Sequence, residues 1–267
     1  MPKASEEWLG RWVPSKAWGQ NYLINEGVIE KIVDLVPAQA KPVIEIGSGR
    51  GALTTALLAR NFQVVAIEPH RESVEYLRAR YGANPEFSLL EEDATQLDFS
   101  VLTEAKSSAV VGNLPYCVAA RILFALIRTA RSGSPWVLMF QKEVAQRIVS
   151  PPHSREYGLL SVVAQLASAC RICFHVSPGS FSPAPKITSS VVQFEPFPDR
   201  QIDWNGLSVW LARLFSLRRK QMGNVLSSML SADQLSVLKS DPPFSLQKRP
   251  EELTPTEHLA LFERFRR

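Results

Sequence analysis

Between residues 42 and 200, short β-branched runs alternate with stretches whose apolar positions recur at helical spacing. Pro42 to Ile46 reads as a strand, followed by a glycine-rich turn and a helix through Arg60. Gln63 to Ile67 is a second strand, with a helix at 71–80 after it. Phe87 to Leu90 and Ala109 to Gly112 are further strands, and Ile122 to Thr129 is helical. Trp136 to Phe140 is another strand, leading into a helix at 142–149. This rhythm predicts an α/β fold built on a doubly wound, mostly parallel sheet. Val162 to Ala169 continues as a helix, and 171–176 with 187–195 form a late strand pair that predicts an antiparallel edge. Pro196 and Pro198 break the pattern. Beyond them the periodicity is helical throughout, over 204–216, 219–230, 232–239 and 255–265. A sheet domain over 1–200 and a small all-helical domain over 201–267 are expected.

Composition bounds the partners. A chain of 267 residues suits one large domain plus one small, and 45% hydrophobic residues supply a core. The net charge of +4 permits a nucleic-acid partner without requiring one, because binding needs a patch rather than a total. The helical tail, with ten Lys and Arg against seven Asp and Glu, is modestly basic. Met1 to Trp12 carries Glu6, Glu7 and Arg11 and has no apolar segment, so no signal peptide is expected. No apolar run approaches the ~20 residues of a membrane span. Three cysteines make no disulfide framework in a chain of this size. A cytoplasmic protein with no membrane partner is the expectation.

The strongest chemical signal is Glu45-Ile46-Gly47-Ser48-Gly49-Arg50-Gly51 at the end of the first strand. Glycines there let the backbone turn sharply and let a ligand approach closely. Glu68 ends the second strand, placed to accept hydrogen bonds from two ribose hydroxyls, and a third strand ends near Asp93. A dinucleotide site shows G-x-G-x-x-G with a helix amino terminus aimed at pyrophosphate. Here the spacing is G-x-G-x-G behind an acidic residue, which suits a cationic, phosphate-free ligand such as S-adenosylmethionine. A plain tight turn between strand and helix is the bland alternative.

After the fourth strand comes Asn113-Leu114-Pro115-Tyr116. Adenine N6 is a poor nucleophile because its lone pair is delocalised into the ring. The Asn113 side-chain oxygen and the Leu114 carbonyl suit the two N6 hydrogens, favouring a pyramidal nitrogen. Pro115 fixes φ and removes a donor, and Tyr116 offers a stacking face to an extruded base. An ordinary Asn-Pro turn beside a buried tyrosine is the alternative.

Other candidates are weaker. Phe181 sits among Pro178, Pro183 and Pro185, either as a base platform on a rigid surface loop or as that loop's hydrophobic anchor. Arg218-Arg219-Lys220 is read as opening a helix of the tail, either as a phosphate-binding patch or as a solvated face. Cys170, Cys173 and His175 lack the further ligands of a zinc site, so no metal is expected. His70, His153 and His258 are isolated, and no Ser-His-acid triad is evident.

These residues together resemble the ribosomal small-subunit adenine-N6 dimethyltransferases, which share a fold with the macrolide-resistance rRNA methylases. The resemblance runs from about residue 16 almost to the end. It is carried by Trp18-Gly19-Gln20-Asn21-Tyr22-Leu23, the glycine loop, the Asn-Leu-Pro-Tyr box and Gln141-Lys142-Glu143-Val144-Ala145. Tyr157-Gly158-Leu159-Leu160-Ser161-Val162, Phe181-Ser182-Pro183-Ala184-Pro185-Lys186, Arg218-Arg219-Lys220 and Arg249-Pro250-Glu251-Glu252-Leu253 extend it. It implies a Rossmann-like methyltransferase sheet preceded by a cofactor-lid segment, with an rRNA-binding helical domain. It also implies S-adenosylmethionine bound through Asn21, Leu23, Gly47, Gly49, Glu68, Asp93 and Asn113. The substrate implied is two adjacent adenines near the 3′ end of small-subunit rRNA, on an assembling 30S particle, with the chain acting as a monomer. Catalysis falls to Asn113, Leu114, Pro115 and Tyr116. Phe181, Lys186, Arg218, Arg219 and Lys220 are the implied RNA contacts, the flipped adenine lying between Tyr116 and Phe181. Three positions depart from the pattern: Ser48 replaces a proline, Trp18 a phenylalanine, and Cys117 the asparagine that commonly follows the tyrosine. A non-catalytic ribosome-assembly factor on the same scaffold and a large-subunit rRNA methylase are the competing readings.

Overall fold

The computed structural model describes residues 21–105, 107–130, 133–197 and 201–266. Trp18, Gly19 and Gln20, and the amino-terminal stretch read for a signal peptide, lie outside the described residues. The chain forms two units, one from Met1–Ala145 with Arg171–Pro198, the other from Gln146–Cys170 with Asp199–Arg267. The boundary expected at residue 200 is thus one of several crossings. The segment 146–170 belongs with the tail, because its helix is amphipathic toward the tail's helices rather than toward the sheet.

In the first unit, β1 (Tyr22–Leu23) precedes α1 (Glu26–Val33), whose start is capped by the Asn25 side chain accepting from Val28 N–H at 3.2 Å. Then follow β2 (Val43–Ile46), α2 (Ala52–Ala59), β3 (Val64–Ile67), α3 (Arg71–Tyr81), β4 (Phe87–Leu90), β5 (Ala109–Asn113), α4 (Ala119–Thr129) and β6 (Trp136–Gln141). α5 (Lys142–Val149) leads into the second unit and α6 (Leu159–Ala167), and β7 (Ser168–Val176) leads back. β8 (Phe181–Ser182) and β9 (Ser189–Pro196) complete the first unit.

The sheet runs β4-β3-β2-β5-β6-β9-β7. β4 through β6 are mutually parallel, and β9 is antiparallel to β6. The strand order reverses between β2 and β5, and open sheets of this kind bind ligands in the crevice at such a point. The α/β expectation holds, with the expected antiparallel edge. Strands covered on both faces read as unbroken apolar runs. In β2 all four residues are buried, Glu45 included. The aliphatic burial of Val43, Ile44 and Ile46, each worth roughly 1.5–3 kcal/mol, offsets the desolvation of that carboxyl.

The second unit adds α7 (Trp204–Ser216), α8 (Met222–Ser227), α9 (Ala232–Ser240) and α10 (Pro255–Phe265) to α6. The helix expected over 219–230 is shorter, and Arg218 to Lys220 occupy the turn before it rather than its first residues. Thr254 starts α10 with a capping box, its hydroxyl accepting from Glu257 N–H at 3.2 Å. The unit's interior centres on Tyr157, Phe215 and His258, with the Phe215 and His258 rings 5.4 Å apart. The Tyr157 hydroxyl donates to the Leu253 carbonyl at 2.8 Å.

Candidate active site

Register assembles the site. Ile46 of β2 stands opposite Ile67 of β3 and Gly112 of β5. The residues that follow these three, Gly47, Glu68 and Asn113, therefore emerge side by side at the carboxyl edge. All three line one cavity, with Asn21, Tyr22, Leu23, Gly49 and Tyr116 among its other walls.

The glycine loop is shaped by Gly49, whose φ of +53° lies in the left-handed region; Gly47 and Gly51 also have positive φ. A Cβ at Gly49 would come within 2.8 Å of the Tyr22 ring, so the cradle has no room for a side chain. Gly49 N–H donates to Glu68 Oε2 at 2.8 Å, and His70 N–H donates to Glu68 Oε1 at 3.0 Å. Each carboxylate oxygen keeps a second lone pair, which is what two vicinal ribose hydroxyls require. Burial pushes the Glu68 carboxyl up, and the two backbone donors pull it back toward ionisation. Burial pushes Glu45 up to about 8, against the Thr54 hydroxyl that donates to it. The Glu68 carboxylate, held by two backbone donors, makes the cavity hostile to pyrophosphate and receptive to a cation, so these residues fit S-adenosylmethionine.

Asn113 is half-buried, and its Nδ2 donates to the Asn21 carbonyl at 3.1 Å. That carbonyl only accepts, so the bond fixes which end of the amide is which and leaves Oδ1 without a partner among the described residues. The Leu114 side chain is buried, while Leu114 and Pro115 both border the cavity. The Tyr116 hydroxyl shares a 2.6 Å hydrogen bond with Ser189 Oγ, and burial raises its pKa. Ser189 and Tyr22 were not legible as site residues, since neither type in its local context carries a chemical signal. The glycine spacing, which demands something close above the loop, is the one hint of Tyr22.

Other expected residues stand elsewhere. Asp93 is three positions past β4, exposed, with Oδ1 accepting from Thr95 N–H at 2.8 Å, and is not among the residues lining the cavity. Phe181 is 3% exposed and pairs as a strand residue with Leu23. The Pro-rich loop therefore does not present the ring to solvent, and the hydrophobic-anchor alternative holds; Lys186 beyond it is exposed. Arg218 is tied within the helical unit to Glu251 and to the Ser154 carbonyl, whereas Arg219 and Lys220 are exposed. Cys170 and Cys173 lie in β7, where burial raises the Cys170 thiol to about 11. Among the described residues no cluster of His, Cys, Asp and Glu suits a metal ion. No described helix is long and apolar enough to cross a membrane.

A doubly wound sheet with a glycine cradle after its first parallel strand and a carboxylate closing the second defines an S-adenosylmethionine-dependent methyltransferase. The family model of ribosomal RNA adenine dimethylase matches residues 15–266, and the chain belongs to that family. It is similar to the ribosomal RNA small subunit methyltransferase A of Hahella chejuensis, 35% identical over 243 residues, covering 89% of this chain and 88% of the relative. The protein of the same name from Coxiella burnetii is also 35% identical over 243 residues, covering 90% and 93%. Among solved structures, a dimethyladenosine transferase from Plasmodium falciparum superposes with a TM-score of 0.73 at 24% identity, covering 90% of this chain and 95% of that one. The 23S rRNA methyltransferase ErmE superposes at 0.67 with 18% identity, covering 92% and 100%. These two likenesses concern the fold alone. The chain is an rRNA adenine-N6 dimethyltransferase using S-adenosylmethionine, and its substrate is ribosomal RNA.

Proposed function

We propose that this enzyme dimethylates two adjacent adenines near the 3′ end of small-subunit rRNA, on an assembling particle, as a cytoplasmic monomer. The observation that carries the chemistry is the Asn113 amide, anchored by Nδ2 on Asn21 with Oδ1 left over at the cavity wall. Two relatives named for the small subunit, each about 35% identical across most of the chain, favour that subunit over the large one.

S-adenosylmethionine supplies an electrophilic methyl group on a sulfonium. Glu68 would accept from the ribose hydroxyls and the Gly47 and Gly49 backbone would give the close approach, whereas Asp93, outside the cavity's lining, is given no part in holding the cofactor. Asn113 Oδ1 and the Leu114 carbonyl accept the two hydrogens of the target N6, directing its lone pair into the cavity. Pro115 holds the turn, and Tyr116, steadied by Ser189, provides the stacking face. Rate enhancement comes chiefly from proximity and orientation, since no strong base is needed. Lys186, Arg219 and Lys220, all exposed, meet RNA phosphates.

The test is incubation of the protein with labelled S-adenosylmethionine and unmethylated small subunits, and in parallel with large subunits. Label in dimethyladenine of the small subunit alone is expected. Absence of labelled adenine across a range of salt concentrations defeats the proposal.

A further inference from the structure

Arg218 is committed inside the helical unit. Its Nε donates to the Glu251 carboxylate and its Nη2 to the Ser154 carbonyl at 3.0 Å, while the Glu251 carbonyl accepts from His153 N–H at 2.8 Å. One guanidinium thus joins three chain segments: the loop 151–157, the turn between α7 and α8, and the short 3-10 turn Pro250–Glu252. The side chains of the pair are only 33% and 25% exposed, and a fork that reaches two acceptors in different segments is what a guanidinium provides and an ammonium does not. The loop needs holding, because His153 sits at a φ of +69°.

Each clamped segment carries an exposed cation within two residues of a clamp residue. Arg155 follows Ser154, Arg219 and Lys220 follow Arg218, and Arg249 precedes Glu251. The clamp itself presents no free charge, since Glu251 neutralises Arg218.

We propose that Arg218 is a positioning residue rather than an RNA ligand: by clamping Glu251 and Ser154 it fixes the segments that present Arg155, Arg219, Lys220 and Arg249 to RNA phosphates. This rests on the reading above that the turn after α7 meets rRNA.

The probe is unmethylated small-subunit rRNA transcribed in vitro, with binding measured at several salt concentrations. Glu251→Gln removes a negative charge, so simple electrostatics favours tighter binding; loss of the clamp instead lowers affinity, by about tenfold. Unchanged or tighter binding overturns the proposal, because an Arg218 freed from its acid would then serve RNA directly. Arg218→Lys keeps the charge and loses the fork. Weakened binding supports the clamp, and wild-type affinity overturns it, which keeps the test intact if Glu251→Gln proves unstable. Melting curves and S-adenosylmethionine affinity report on folding, and the clamp variants raise the KM for RNA with kcat little changed. Arg219→Glu with Lys220→Glu tests the underlying reading. If that pair leaves RNA affinity unchanged, the turn does not meet RNA and both ideas fall. If it weakens binding while Glu251→Gln and Arg218→Lys do not, only the clamp falls.

Discussion

Asn113 Nδ2 donates to the backbone carbonyl of Asn21 at 3.1 Å, joining the end of β5 to a segment 92 residues earlier in the chain. The bond makes the chemistry of the tetrapeptide depend on the amino-terminal strand, because it decides that oxygen and not nitrogen is offered to the substrate amine. Asn113→Ala removes both ends of the amide. Methyl transfer is expected to fall by ~10²-fold or more, since misplacement of this order costs that much, while most of the RNA affinity stays. Asn113→Asp keeps an acceptor but sets a carboxylate oxygen against the Asn21 carbonyl, and it should be comparably slow. Single-turnover rates beside RNA binding isotherms check this. Equal loss of rate and RNA affinity would contradict the role given to Asn113.

Gly49→Ala is expected to damage cofactor binding. The new Cβ would stand 2.8 Å from Tyr22 Cε1 and 3.1 Å from Cδ1, at a φ of +53°. Left-handed backbone costs roughly 1–2 kcal/mol for a residue with a side chain, and relief of the clash shifts either Tyr22 or the N–H that holds Glu68. S-adenosylmethionine affinity should drop by about tenfold or more, with a lower melting temperature. Gly179→Ala is the control, since its added Cβ meets nothing within 4 Å. Calorimetry showing the two variants alike would remove the steric argument.

Much of this was readable in the chain because it is local. Runs such as Val43 to Ile46 and Val64 to Ile67 are apolar enough to be buried on both faces, and the glycine spacing announces a loop after the first of them. What was not readable depends on partners far away. Phe181 looks like a surface aromatic between prolines until Tyr22 and Leu23 pair with its strand. Arg218 looks like part of a free basic run until Glu251, 33 residues on, takes its charge. The helix expected over Val162 to Ala169 instead spans Leu159–Ala167, its last two expected residues opening β7, and no local pattern says that its apolar face belongs with α7 and α10 rather than with the sheet.

Cofactor binding should release protons through Glu45. Its buried carboxyl titrates at about 8, well above the usual carboxylate range, so at pH 7 it is mostly protonated. A cation entering the same cavity favours the carboxylate and lowers that pKa. Below about pH 8 binding therefore expels protons and tightens as pH rises, levelling off above. Calorimetry at pH 7 in buffers of different ionisation enthalpy should show this release. Glu45→Gln, neutral at every pH, should lose the component that belongs to the carboxyl. Identical proton release by wild type and variant would place the titrating group elsewhere.

His258 makes the helical unit acid-sensitive. It is fully buried, its Nε2 lies 2.9 Å from the Pro250 carbonyl, and its Nδ1 has no partner among the described residues. That carbonyl only accepts, so the proton is on Nε2 and Nδ1 is bare. Protonating Nδ1 would bury a cation beside the Tyr157 and Phe215 rings with nothing to receive its hydrogen. Burial accordingly lowers the pKa from 6.5 to about 4. The unfolded chain takes up the proton near pH 6.5 and the folded one only near 4, so stability is full above the first value and declines as pH falls between them. The loss across that window is about 3 kcal/mol. Denaturant unfolding at a series of pH values should trace it. His258→Gln, which retains an amide donor for Pro250, should be less stable at pH 7 yet flatter between pH 7 and 4. A variant whose stability falls with acid as steeply as wild type would mean that other groups set the response.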